Sequence, residues 1–165
     1  MENNVYETPQ STLVTENTGS LELASRWGRL FAAIIDSIIM MCVTLPLMFF
    51  TGGFDGIMQG VQPGFIQSAA IGIVGWIAFA LINGKFLLST GQTIGKKALE
   101  IKIVDLDGNV PAMNTLVTRY AVYFVPGIIP FIGGLFSLVN VLFIFGEEKR
   151  CIHDLAAKTK VVKAV

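Results

Sequence analysis

The run from Leu30 to Phe50, LFAAIIDSIIMMCVTLPLMFF, constrains this chain more than any other stretch. About 20 consecutive apolar residues cross the hydrocarbon core of a bilayer as one helix. This run has that length, and it contains a single ionisable group, Asp36. Arg29 stands just before it, seven residues earlier. Seven residues are close to two helical turns, so both side chains lie on one face, roughly 10 Å apart along the axis. A carboxylate at bilayer depth costs on the order of 3 kcal/mol or more, so Asp36 is expected to face protein or water. Gly28 and Ala32 lie on nearly the same face, and small residues there let another helix approach closely. Two readings of Asp36 follow: a functional intramembrane group, or a buried hydrogen-bonding tie between helices.

Composition agrees with a membrane protein. The chain of 165 residues is 53% hydrophobic and 15% charged, with a mean hydropathy of +0.64. Soluble domains are nearer ~45–50% apolar and ~25% charged. The net charge is zero, which gives no sign of a nucleic-acid partner. Cys42 lies inside the apolar run and Cys151 in a basic tail, so neither a disulfide framework nor a metal site is indicated. The first apolar run is too long for a signal h-region and has no small-residue cleavage site after it, so it reads as a span.

Residues 1–20 are polar and acidic and read as a disordered tail. Residues 21–29 suit an amphipathic lead-in, with Trp27 at the water–lipid boundary. Together with span one they predict a helix over about 24–50, in which Pro46 can kink the last turns. The Gly-rich loop 51–64 carries no Lys or Arg. A second span is expected at about 65–88, with Gly72, Trp76, Phe79 and Asn83 on one face. Asn83 is a second polar group near membrane depth, and an interhelical hydrogen bond is its plainest role. The connection 89–114 contains a β-branched alternation at 100–105, which predicts a strand, and a turn at Asp107-Gly108-Asn109. The third apolar block, 115–145, is broken by PGIIPFIGG, which does not support one smooth helix. Helices are expected at about 114–125 and 131–146, carrying Arg119 and Asn140. Irregular backbone between them requires protein or a water-filled cavity around it. A strand at about 159–163 could pair with 100–105.

Charge sets the topology. Arg26 and Arg29 precede span one; Lys85, Lys96, Lys97, Lys102 and Arg119 follow span two; Lys149, Arg150, Lys158, Lys160 and Lys163 follow the third block. The positive-inside rule then puts both termini and the 89–114 connection in the cytoplasm. The third block must enter and return on one side, as a broken hairpin does. A single crossing at about 128–145 would leave five cationic residues outside.

RLFAAIID (29–36), GQTIGKKALEIKIVDLDG (91–108), Arg119-Tyr120 and HDLAAKTKVV (153–162) together resemble the RDD family of small integral membrane proteins, named for one arginine and two aspartates. The resemblance covers about residues 24–163 and keeps the order of the segments. It implies that Arg29 is the family's arginine, Asp36 the aspartate of the first helix and Asp154 the other aspartate. Gln92, Thr93, Gly95, Lys96 and Asp154 then form a family motif at the cytoplasmic face. Anchoring and a turn would also account for the GQTIGK segment, and capping, or a pair with Arg150 or Lys97, for Asp154. The sequence departs from the pattern at Lys158, where many relatives carry Gly. The resemblance implies a bacterial inner or plasma membrane location, and transport of an ion or solute, with cation/proton exchange in some relatives.

The expected architecture is therefore an all-α membrane protein with two full transmembrane helices, a broken helical hairpin and a small cytoplasmic two-stranded β element. So few helices make a poor pathway alone, so a homo-oligomer is expected, in contact with the lipid bilayer. Asp36, Arg29, Asn83 and Arg119 are the candidate proton-, ion- or substrate-binding residues. Burial disfavours the charged form of a carboxylate, and one carboxylate for which a proton and a monovalent cation compete is the simplest exchange device. The alternative is a membrane-embedded scaffold or accessory subunit without transport. No residues are spaced for enzymatic catalysis, and no cofactor or metal is expected; one His beside one Asp falls short of the three or four ligands of zinc.

Overall fold

Ser25 starts the first helix by capping it: its Oγ accepts a hydrogen bond from the Gly28 amide at 2.9 Å. Such a side chain satisfies one of the amides that a helix start leaves without an internal partner. The computed structural model, which describes residues 21–61, 64–129 and 132–164, then runs α1 from Arg26 to Phe50, continuing past Pro46. Ser25→Ala is expected to cost about 1 kcal/mol, lowering the thermal midpoint in detergent by about 2–4 °C.

A short helix α2 (Gly53–Met58) lies in the first loop, where only irregular chain was expected. Helix α3 (Phe65–Thr90) ends at Gly91, whose φ of +70° is the left-handed conformation that glycine adopts without a Cβ penalty. There the chain turns sharply into α4 (Ile94–Ala98) and strand β1 (Ile101–Asp105). Helix α5 (Met113–Phe124) passes through a 3₁₀ turn at Val125–Ile128, and α6 (Ile132–Leu142) follows. A second 3₁₀ turn (Phe143–Phe145), α7 (Ile152–Ala156) and β2 (Thr159–Lys163) close the chain. Lys158, before β2, holds a φ of +52°, which explains why a glycine suits that position.

The two strands pair antiparallel, with Ile101 opposite Lys163 and Asp105 opposite Thr159. The lead-in differs from its expected helical form. Residues 21–25 are extended along the free edge of β2, with the Ala24 amide donating to Val161 O at 3.0 Å and the Lys163 amide to Glu22 O at 2.9 Å. An unpaired strand edge presents a row of donors and acceptors, and this segment satisfies them. Ala24, Ile103 and Val161 join Ala32, Phe79, Leu87 and Leu116 in one buried cluster, so the sheet is packed onto the helices.

Two further facts position the site. Arg119, in the middle of α5, and Asn140, near the end of α6, both reach His153. Helices α1 and α3 are long and apolar enough to cross a membrane, and only 6% of each apolar stretch is buried within the chain. Apolar helices this bare require cover from lipid or from another protein.

Candidate functional site

Asp36 is the eleventh residue of α1 and points at the start of α4. Its Oδ2 accepts from the Thr93 hydroxyl at 2.5 Å and its Oδ1 from the Gly95 amide at 2.7 Å. The Lys96 ammonium stands 3.7 Å from Oδ2, with both side chains about one-seventh exposed. Thr93 also caps α4, accepting from the Lys96 amide at 3.3 Å. One hydroxyl thus orients both members of the ion pair. Burial is the main influence on Lys96; it lowers the amine to about 8, and the attraction of Asp36 offsets only part of that.

A second cluster forms around Asp154, which has no exposed surface. Arg29 from α1 pairs with Oδ2 and Arg119 from α5 with Oδ1. The Cys151 amide donates to Oδ2 at 3.0 Å, so the same carboxylate closes the N-terminus of α7. Burial alone would raise Asp154, but Arg119 and Arg29 outweigh it and hold the carboxyl below its usual range. Arg119 also donates to Thr159 Oγ1 at 2.6 Å. His153 Nε2 lies 3.2 Å from Arg119 Nη2 and His153 Nδ1 lies 3.0 Å from Asn140 Oδ1. A guanidinium only donates, so Nε2 accepts and Nδ1 carries the proton. Burial and then Arg119 hold this neutral ring down to about 3.

A cavity of about 250 Å³ is lined by members of both clusters: Asp36, Thr93 and Lys96 from the first, and Arg29, Arg119 and His153 from the second. Apolar and aromatic residues, among them Met40, Phe79, Tyr120 and Phe124, complete the lining.

The sequence candidates sort as follows. Asp36, Arg29, Arg119, Thr93 and Lys96 all line the cavity, and Asp154 holds two of its arginines in place. Arg29 and Asp36 share a face but pair with different partners, and Asp36 pairs with neither arginine. Asp154 caps a helix as expected, yet its ion-pair partners are Arg29 and Arg119 rather than Arg150 or Lys97. Arg150 turns to Glu148 at 3.0 Å. Asn83 and Gln92 are buried ties away from the cavity lining: Asn83 Oδ1 accepts from the Ile94 amide at 2.9 Å, and Gln92 Nε2 donates to Ile101 O at 3.0 Å. Gly95 lets α4 lie against α1. The residues sequence reasoning missed are Tyr120, His153 and Asn140 as cavity groups, and Arg26, whose Nε donates to Ile144 O at 3.2 Å. Cys151, His153 and Asp154 gather within 4.8 Å, but their donor set suits no metal. Both Asp154 oxygens face guanidiniums, both His153 nitrogens are engaged, and burial pushes the Cys151 thiol up.

The chain is 29% identical over 155 residues to YxaI of Bacillus subtilis, covering 84% of this chain and 96% of that one. It is 32% identical over 141 residues to YckC of the same organism, covering 86% and 85%. Both relatives are described only as uncharacterized proteins. No solved structure matches the chain. The profile of the RDD family matches residues 23–158, a stretch that holds Arg29, Asp36 and Asp154 together with every element that carries them, and the chain belongs to that family.

Proposed function

We propose that this protein spans a membrane with α1 and α3 and exchanges a proton for a monovalent cation at the Asp36–Lys96 pair. The observation that carries the reading is the placement of a carboxylate and an ammonium side by side on the wall of a cavity. While Lys96 is protonated, its ammonium is the counter-ion of Asp36. When Lys96 gives its proton to water in the cavity, a small cation can take its place between the Asp36 carboxylate and the Thr93 oxygen. The pair keeps the same net charge in both states, so one cation enters for each proton released. An amine held near 8 by its burial makes that release accessible around neutral pH.

By the positive-inside rule, the end where residues 21–25, α4, the sheet and α7 meet faces the cytoplasm. The role is non-enzymatic, and exchange across the whole bilayer is the work of a homo-oligomer joined through the bare faces of α1 and α3. A second reading, a membrane-embedded scaffold, has one observation in its favour: Asp36 already holds two hydrogen bonds and an ion pair, as a structural tie would.

Vesicles reconstituted with the purified protein decide between them. Imposed sodium or potassium gradients should drive proton flux. Asp36→Asn should remove the flux, and Lys96→Ala should uncouple cation movement from the proton. Unchanged flux in a normally expressed Asp36→Asn protein would end the exchange reading.

A further inference from the structure

We infer that the basic side of the cavity seats the phosphate of an anionic phospholipid, which enters from the bilayer between α1 and α6. This rests on the membrane placement proposed above, though not on exchange.

Three observations carry it. The first is charge. Among the described residues, Arg29, Lys96 and Arg119 line the cavity and share two carboxylates, Asp36 and Asp154. His153 is neutral, as its hydrogen bonds require, and cannot supply a negative charge. Arg26 adds a fourth cation at the rim, where its acceptors among the described residues are the backbone carbonyls of Ile144, Phe145 and Gly146. Asp154 is shared by two arginines and Asp36 is taken by Lys96, so with Arg26 on neutral acceptors the cations at the cavity exceed the carboxylates, and a further anion would balance them. The arginine fork suits a phosphate, since it donates through parallel N–H groups.

The second is the Tyr120 hydroxyl. Tyr120 lines the cavity, and its hydroxyl is buried with no hydrogen-bond partner among the described residues. Buried hydroxyls are nearly always bonded, and an oxygen-rich ligand would complete this one.

The third is shape. Helices α1 and α6 are not closely packed on each other, and the cavity is lined by Ala33, Ser37 and Met40 on the one side and by Val141 and Phe145 on the other. Trp27 and Phe145, both more than half exposed, stand at this gap. An indole at such a level marks the lipid interface. The volume of about 250 Å³ is several times the ~30 Å³ share of a liquid water. A head group therefore fits, with its acyl chains leaving along apolar walls.

The test uses the full chain purified in a neutral detergent. Phosphatidylglycerol should raise the thermal midpoint in a saturable way, as a ligand of the folded state does. Phosphatidylcholine and inorganic phosphate should leave it unchanged at the same concentrations. Tyr120→Phe, which removes only the unpartnered oxygen, should raise the half-saturating phosphatidylglycerol concentration by about tenfold, the worth of one hydrogen bond to a charged group. An equal shift with phosphatidylcholine would overturn the proposal, as would an equal shift with inorganic phosphate alone, or an unchanged half-saturation in Tyr120→Phe. Membrane placement is read separately: a chain that alkaline carbonate strips from membranes defeats that reading, whatever the lipid titration gives.

Discussion

Asp154→Asn should destabilise the protein by about 3–5 kcal/mol, the usual consequence of removing one partner from a buried charge cluster. The asparagine would still cap α7, but Arg29 and Arg119 would remain buried with no carboxylate to meet them. Loss of the folded fraction on detergent size-exclusion, or a fall of about 6–20 °C in midpoint by the usual scaling, is the measurement. The control is the replacement of all three charges together, Arg29→Met, Arg119→Met and Asp154→Leu. Apolar substitution of a whole buried ion cluster is often neutral or stabilising. The triple variant should therefore be more stable than Asp154→Asn alone, and that non-additivity is the signature of one coupled unit. A triple variant whose losses simply add would show that the charges act separately.

The same cluster gives an acid limit, and its sign is fixed. Arg119 and Arg29 hold the folded-state pKa of Asp154 below that of the unfolded chain. A depressed carboxyl contributes stability that is fully present above the unfolded pKa, near 3.9, and is lost as the pH falls toward the folded value. The share that Asp154 contributes should hold down to about pH 4 and be lost only below that, while His153, whose ring is held down to about 3 in the folded chain, adds a separate decline that begins as the pH falls through about 6.5. In the Asp154→Asn protein the Asp154 part of the decline should be absent.

How much of this could be read from the sequence differs by element. The helices α1 and α3 declared themselves, because a continuous apolar run of that length needs no tertiary context to be recognised. The strand pair was legible from two β-branched alternations, and the antiparallel register bears it out. The break in the third apolar block was legible from the prolines and glycines of 126–134: α5 gives way there to the 3₁₀ turn Val125–Ile128 before α6 begins at Ile132. The extended form of residues 21–25 was hidden, because the free edge of β2 that recruits them is 138 or so residues away and exists only after folding. The short helix α4 was missed and α7 was marked only by the expected cap at Asp154, five residues giving no period to detect. The site was half legible. Arg29, Asp36 and Arg119 stood out as charges next to or within apolar helices. Their partners did not, since helix geometry fixes only pairs on one helix. A signal was present: two arginines on apolar helices need a buried carboxylate, and an aspartate three residues after Cys151 sits at the N3 position of a capping box, where it is drawn inward.

Gly95→Val should damage the proposed exchange as much as the loss of the Asp36 carboxylate does. Helix α4 crosses α1 at this residue. A Cβ built on Gly95 would collide with the Ala32 carbonyl oxygen and lie 2.8 Å from Asp36 Oδ1. Neither neighbour is free to yield. Ala32 O is backbone within α1, and Asp36 Oδ1 is the acceptor of the Gly95 amide itself. A larger side chain must therefore lift α4 off α1, which separates Asp36 from Thr93 and Lys96 together. Overpacking of this kind costs about 1–3 kcal/mol, so the protein should still fold, with a midpoint lowered by about 2–12 °C. The flux should fall to the level of Asp36→Asn even though every charged residue remains. Gly95→Ala should show the same loss in weaker form, since its single methyl meets the same two atoms. By contrast Gly84→Ala, at a position with nothing within 4 Å of the added carbon, should leave both readouts at their original values. Full flux in a folded Gly95→Val protein would mean that the contact between α1 and α4 plays no part in exchange, and the proton would have to be sought at another group on the cavity wall.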